Sequence, residues 1–369
     1  MVRDGAKRTG LRCGAALCAL LLAVLRSTAP LRSTTFLGPS STGHGGLRRT
    51  ATCAPLRAVN GERALQAGDV VTVVGASGNV GKLATLRLTD EDYRVRAVVR
   101  SPAARDGLAR FLGEGRSGRV EFFEADTVRA PEGLDDALLG AAAVVVCTGT
   151  TAFPTKAWAG GGVGEGEVSS AVWQAWSGNG FDVRRGLDAL TAEGLNTPDA
   201  VDARGVEAVA ASAGRAAAAG ASSGQPFKRF LLMSSIGVER RTAFPFVVLN
   251  AAGVLDAKAR GEAAVRACAE REGFSWTIVR PGQLFGGPYD NNYYLGTLFQ
   301  LDKDAATRAV SLQRGDEAAG DTLRSSLAEV LVQTLASPAT HNIDFTAISV
   351  EGSAPNADDI QRQMSEVSQ

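Results

Sequence analysis

Short apolar runs recur along this chain, each followed by a polar turn and then by a stretch with helical spacing. Val70–Val74, four valines around one threonine, is the first of them. Tyr93–Arg100, Val120–Asp126, Ala142–Cys147, Phe227–Met233 and Ser275–Arg280 repeat the pattern, and His341–Val350 closes it. Helical spacing runs from the turn after Val74 through Leu88, then over Leu134–Leu139, Val201–Ala219, Leu255–Glu272 and Ser325–Leu335. Runs this short and this apolar fit strands buried on both faces, and their alternation with helices predicts an α/β fold: a Rossmann-type doubly wound parallel sheet over residues 69–350. The rhythm breaks between residues 156 and 197, where Gly160–Gly164, Trp173 and Trp176 mark an insertion. A structureless loop of that length is unusual inside a domain. The insertion is expected either to fold over the mouth of the site or to stay loose, with its tryptophans packed on this chain or offered to a partner protein. A small C-terminal region should border the substrate side, and residues 351–369 read as a polar, frayed tail.

Composition changes the picture mainly at the N-terminus. The chain has 369 residues, 45% of them hydrophobic, enough for one large core. Residues 1–60 hold nine basic residues and one acid, Asp4, which leaves 30 basic against 38 acidic residues, a net of −8, for the rest. A body of that sign is a poor partner for nucleic acid or an anionic membrane face. Arg3, Lys7, Arg8 and Arg12 precede the apolar run Cys18–Leu25, a signal-peptide pattern too short to span a bilayer comfortably. Arg26 to Ala58 is rich in Ser, Thr and Arg and contains no acid. Together the two stretches resemble the bipartite presequence of algae with secondary plastids, with Phe36 near the expected cleavage site. The expected destination is the plastid (chloroplast) stroma or the surface of an internal membrane. Of the five cysteines, Cys147 and Cys268 fall in the folded part and read as small buried side chains. No Cys/His grouping has metal-ligand spacing, so no metal site is expected.

The first strand runs straight into Gly75-Ala-Ser77-Gly78-Asn79-Val80-Gly81 and then a helix. Gly75 allows a tight turn, Gly78 a close approach of backbone to pyrophosphate, and Gly81 close packing of helix on sheet. The second strand ends in Arg100, where an acid would accept the 2′-hydroxyl of NAD; a cation there favours the 2′-phosphate of NADP(H) over NAD(H). Asp126, ending the third strand, serves either the adenine amino group or its own turn. Thr148 and Gly149, after the fourth strand, offer small groups beside a bound dinucleotide.

These motifs, with Cys147–Pro154, Ser234-Ser235, Val254–Lys258 and Thr277–Gly282, make residues 69–350 resemble an atypical short-chain dehydrogenase/reductase of the NmrA-like, NAD(P)-binding group of plastids. The 156–197 insertion departs from that group. The resemblance implies a Tyr-x-x-x-Lys pair in which tyrosine exchanges a proton with substrate and lysine holds the nicotinamide ribose, while a serine orients the carbonyl. Carried onto this chain, the lysine is Lys258, the serine is Ser234 or Ser235, Pro281 borders the cofactor, and the tyrosine position is Val254. Valine transfers no proton. Tyr289, Asp290, Tyr293, Tyr294 and Asp256 are the nearby substitutes. Two functions follow from the resemblance: a non-catalytic NADP(H)-binding factor with a redox-responsive regulatory or assembly role, or an NADPH-dependent oxidoreductase or epimerase.

Overall fold

A computed structural model describes residues 64–288 and 306–369. The presequence expected over residues 1–60, and with it Phe36, lies outside the described residues. So do Tyr289, Asp290, Tyr293 and Tyr294.

In chain order the elements are β1 (Val70–Val74), α1 (Asn79–Asp90), β2 (Arg94–Val99), α2 (Pro102–Leu112), β3 (Val120–Glu124), α3 (Gly133–Leu138) and β4 (Ala143–Val146). The insertion supplies α4 (Val168–Gly178) and α5 (Val183–Ala192). Then come α6 (Val206–Ser223), β5 (Arg229–Met233), α7 (Val254–Glu272), β6 (Ser275–Pro281) and β7 (Gln283–Phe285). The C-terminal part holds β8 (Ala309–Arg314), β9 (Asp321–Leu323), α8 (Arg324–Ala336), β10 (Ile343–Val350) and α9 (Ala357–Val367). Eight strands form one sheet in the order β3-β2-β1-β4-β5-β6-β10-β8. All its pairings are parallel except that of β8 with β10. The strand order reverses between β1 and β4, so their carboxyl ends open the crevice in which such sheets bind ligands.

The period of two along each strand divides the core. Val71 and Val73 of β1 pack on one face with α1, α2, α8 and α9, while Val74 packs on the other with α3, α6 and α7. The strands are buried on both faces, which is why they read as continuous apolar runs. Cys147 belongs to the first cluster and Cys268 to the second, so the sheet separates them. Both are unbridged, and burial pushes the Cys147 thiol up to about 12.

Of the two alternatives for the 156–197 insertion, the folded one is found: it forms a short 3₁₀ turn at Lys156–Trp158 and the helical hairpin α4–α5. One expectation is corrected. The 351–369 tail is not frayed. Asn356 caps α9 by accepting from the N–H of Asp359 at 2.8 Å, and Ile360, Met364 and Val367 bury one face of that helix. Apolar residues four and three apart within an otherwise polar segment make that stripe, which is enough for a docked helix.

Beneath the sheet's carboxyl edge lies a buried ionic network. Arg280 of β6 is fully enclosed and grips Glu262 of α7 with two bonds, of 3.0 and 2.7 Å. Asp344 and Glu239 complete its donors at 2.6 and 2.8 Å. Removing one partner of such a pair strands a charge away from water. Glu262→Ala should therefore cost about 3 kcal/mol or more of unfolding free energy, read by urea denaturation; a loss within experimental error would show that Asp344 and Glu239 suffice.

A second check is pH. Burial, reinforced by the Arg229 guanidinium, lowers the His341 imidazole to about 4. The unfolded chain then binds a proton that the folded chain refuses, so this ring's contribution is intact above about pH 6.5 and is lost as pH falls toward 4. Urea midpoints at pH 7 and pH 5 should differ less in His341→Gln than in the unaltered protein.

Candidate functional site

The loop after β1 is pressed against β4. Gly75 sits at φ +79°, and a Cβ on it would lie 2.9 Å from the Thr148 methyl carbon. A Cβ on Gly81 would stand 2.1 Å from the Gly75 carbonyl oxygen. The Gly78 N–H donates to Gly75 O at 3.0 Å, and the Ala76 N–H donates to Val98 O at 3.2 Å. These contacts hold the loop between β1, β2 and β4 with the N-terminus of α1 above it, and no side chain caps that helix. Uncapped first-turn N–H groups suit an anion.

A cavity of about 460 Å³ opens over this loop. Of the residues predicted from sequence, Gly75, Ser77, Gly78, Arg100, Asp126, Thr148 and Gly149 line it. Asn79, Val80 and Gly81 form the first turn of α1 beside it, and the Val80 side chain is buried in the core. Two buried polar atoms at the loop, Asn79 Oδ1 and Thr148 Oγ1, have no hydrogen-bond partner in the protein. Orphaned polar atoms beside a glycine cradle fit a polar ligand such as a dinucleotide. Arg105 does not line the cavity; its guanidinium lies 5.5 Å from the centre of the Phe122 ring.

Asp126 organises its own turn. Its Oδ1 accepts from the N–H groups of Val128 and Arg129 at 2.9 and 3.2 Å, and its Oδ2 accepts from the Arg129 guanidinium at 2.7 Å. Burial pushes this carboxyl up, but those donors outweigh it and the pKa is lowered. Any adenine contact has to share acceptors already in use.

Arg129 also donates to Gly194 O and, at 3.0 Å, to Asn196 Oδ1, so it ties this turn to the end of the insertion. Asn196 in turn donates to the carbonyl of Ala159, and Ala157 and Asn196 are part of the cavity wall. Trp158 is wholly enclosed, and its indole N–H donates to Thr151 O at 3.3 Å. Trp176 packs where a Cβ on Gly186 would come within 2.1 Å of its ring. Both tryptophans therefore serve this chain's own packing. Trp173 remains 52% exposed, edge-on to Phe181 at 5.9 Å between ring centres.

Lys258 is not part of the cavity lining; it stands behind Gly149, which is. Its ammonium is 2.7 Å from Asp202 Oδ1, with side-chain exposures of 12% and 2%. Asp202 stands in a π-helical stretch, Asp199–Gly205, that leads into α6, and its Oδ2 accepts from the Thr150 N–H at 3.2 Å. Burial raises the Asp202 carboxyl, and Lys258 opposes that shift. Two glycines make the pair possible. A Cβ on Gly261 would reach within 2.4 Å of Asp202 O, and one on Gly149 would sit 3.4 Å from both charged atoms.

The two candidate serines separate. Ser234 is buried, and its hydroxyl donates to Glu262 at 2.7 Å, which places it in the Arg280 network. Ser235 is half-buried and donates to Ile236 O at 3.1 Å. Val254, one turn before Lys258, is buried in an apolar cluster with Val238, Phe246 and Leu255. Asp256 faces away and binds Arg241 and Asn250. Pro281 ends β6 and is buried. Among the described residues no group of His, Cys, Asp and Glu could hold a metal ion. Sequence reasoning missed Lys82, Arg129, Asn196 and Asp202. Asp202 is one of two carboxylates, with Asp199, in the stretch leading into α6, and nothing in the sequence set it apart from Asp199; Arg129 and Asn196 carried no signal.

A family model described as NAD(P)H-binding matches residues 75–338, well over half of the chain. No curated protein matches it. Among solved structures, an oxidoreductase from Lactococcus lactis is 16% identical with a TM-score of 0.49, over 80% of this chain and 95% of that one. A wide-type short-chain dehydrogenase/reductase from Veillonella parvula, in complex with NADP, is 13% identical with a TM-score of 0.45, over 76% and 94%. The yeast methylglyoxal/isovaleraldehyde reductase complexed with NADPH is 16% identical with a TM-score of 0.47, over 76% and 78%.

The tightness of the loop is open to test. Gly81→Ala should lower the unfolding free energy by about 1–3 kcal/mol, because the methyl group has only backbone to displace. It should also weaken binding of nicotinamide nucleotides in a fluorescence titration. Unchanged stability and binding would mean the loop widens freely.

Proposed function

The chain belongs to the NAD(P)H-binding family, and from that premise we propose that it is an NADP(H)-binding protein whose nucleotide occupancy, rather than a proton relay, is its output. One observation carries this reading. Val254 occupies the tyrosine position and is closed into an apolar cluster, while the glycine cradle and its orphaned Thr148 hydroxyl remain. A buried valine neither donates nor accepts a proton.

Each part of the cradle has a role in that reading. Gly75, Ser77 and Gly78 hold the pyrophosphate with the N-terminal turn of α1 (Asn79, Val80, Gly81). Arg100 meets the 2′-phosphate, and the lack of an acid at the end of β2 favours NADP(H) over NAD(H). Thr148 and Gly149 flank the dinucleotide, Asp126 shapes the adenine side, and Pro281 borders the nicotinamide. Lys258, steadied by Asp202, faces the nicotinamide ribose. When bound, the nicotinamide supplies hydride chemistry at its C4.

The composition of residues 1–60 supports delivery to the plastid, where the protein would act as a redox-responsive regulatory or assembly factor. The ordered insertion suits that role. Arg129 and Asn196 tie it to the cavity wall, and its Trp173–Phe181 pair is exposed. A second reading, an NADPH-dependent oxidoreductase or epimerase on a small plastid metabolite, is favoured by Lys258 and by the half-buried hydroxyl of Ser235.

Titration with NADPH and NADH, read by nucleotide fluorescence, tests the proposal. Tight binding of NADPH and weak binding of NADH are expected. Binding of neither would overturn both readings. Rapid NADPH oxidation with any of a panel of carbonyl compounds would replace the first reading by the second.

A further inference from the structure

Lys82 follows Gly81 directly and stands on the first turns of α1, yet only 8% of it reaches solvent. Its ammonium lies 5.7 Å from the centre of the Phe111 ring on α2. The side chain therefore runs in the crevice between the two helices, and it forms part of the wall of the cavity that Arg100 also lines. The α2 side of that wall is Ala103, Ala104 and Gly107. Gly107 is in the middle of a helix, where glycine is a poor choice. A Cβ built on it would meet nothing within 4 Å. The chain thus keeps open space beside a buried cation.

We propose that Lys82 is a specificity-determining residue for the cofactor, reaching the 2′-phosphate from the α1 side while Arg100 meets it from the end of β2. This rests on the reading that the cavity holds NADP(H), and it adds the residue that sets the preference. A phosphomonoester carries close to two negative charges at neutral pH. A dianion entering the cavity that Lys82 and Arg100 both line gains a charge-assisted bond to the ammonium, which low local polarity strengthens. The N-terminus of α2, capped where Ser101 Oγ accepts from the Ala104 N–H at 3.3 Å, adds its dipole to the same field. NADH presents a neutral hydroxyl at this point, so the gain falls on one nucleotide only.

The test is titration of the full-length protein and three variants with NADPH and NADH. Lys82→Met and Lys82→Gln are neutral but differ in hydration, so at least one should fold with an unchanged thermal midpoint; Lys82→Arg keeps the charge. The neutral variants should bind NADPH about tenfold more weakly or worse, as expected for loss of one charge-assisted bond. NADH binding should be unchanged, and Lys82→Arg should retain most of the preference. NADPH binding equal to that of the unaltered protein, or equal losses for both nucleotides, overturns the assignment while leaving the cofactor reading intact. If the unaltered protein binds neither nucleotide, the cofactor reading fails and this assignment falls with it.

Discussion

A methyl group on Gly81 would stand 2.1 Å from the carbonyl oxygen of Gly75, and the nucleotide half of the molecule is arranged around that missing methyl. Because it is missing, α1 can start directly on the loop. Gly75 in turn can lie against Thr148 only without a side chain of its own. The two approaches bring the carboxyl ends of β1 and β4 together at the point where strand order reverses. Everything that lines the cavity, from Arg100 to Gly149, is placed relative to this junction. The uncapped N-terminus of α1 gains its value there as well, since its N–H groups point at a fixed place rather than into bulk water.

Two buried ion pairs divide the far side of the sheet between structure and function. Arg280 and Glu262 are both enclosed, and Ser234, Asp344 and Glu239 satisfy their remaining valences. That network fixes α7 to β6 and β10 and draws Ser234 away from the cavity. Asp202 and Lys258 are nearly as buried but border Gly149, in the wall of the cavity. A lysine paired with a carboxylate is close to neutral as a unit, so it would do little to lower the pKa of a neighbouring tyrosine. The apolar cluster around Val254 and the Asp202–Lys258 pair are both consistent with the proposed reading, in which Lys258 is a donor for ribose hydroxyls and position 254 supplies no proton.

The insertion has a similar economy. Trp158 and Trp176 are consumed by its own packing, and Arg129 binds its end to the turn that Asp126 organises. The same segment lines the cavity at Ala157 and Asn196 and exposes an aromatic pair, Trp173 and Phe181, on the α4–α5 hairpin.

The sequence by itself determined the α/β class, the parallel sheet and the glycine cradle. These depend on local chemistry: continuous β-branched runs, helical spacing and glycines at fixed offsets within one strand–turn–helix unit. It also placed valine rather than tyrosine four residues before Lys258, on the same helix. Only the tertiary structure decided which serine joins the buried Arg280 network, since Ser234 and Ser235 differ by one residue and so point to opposite sides of the strand's end. It alone paired Lys258 with Asp202, 56 residues earlier, and buried Glu262, which on a helical wheel reads as solvated. It turned the polar tail into α9 and the glycine-rich insertion into a helical hairpin, because partners supplied from distant segments made weak local preferences sufficient. Pairings of that kind are set by where the chain returns to itself, and no spacing along the sequence records them.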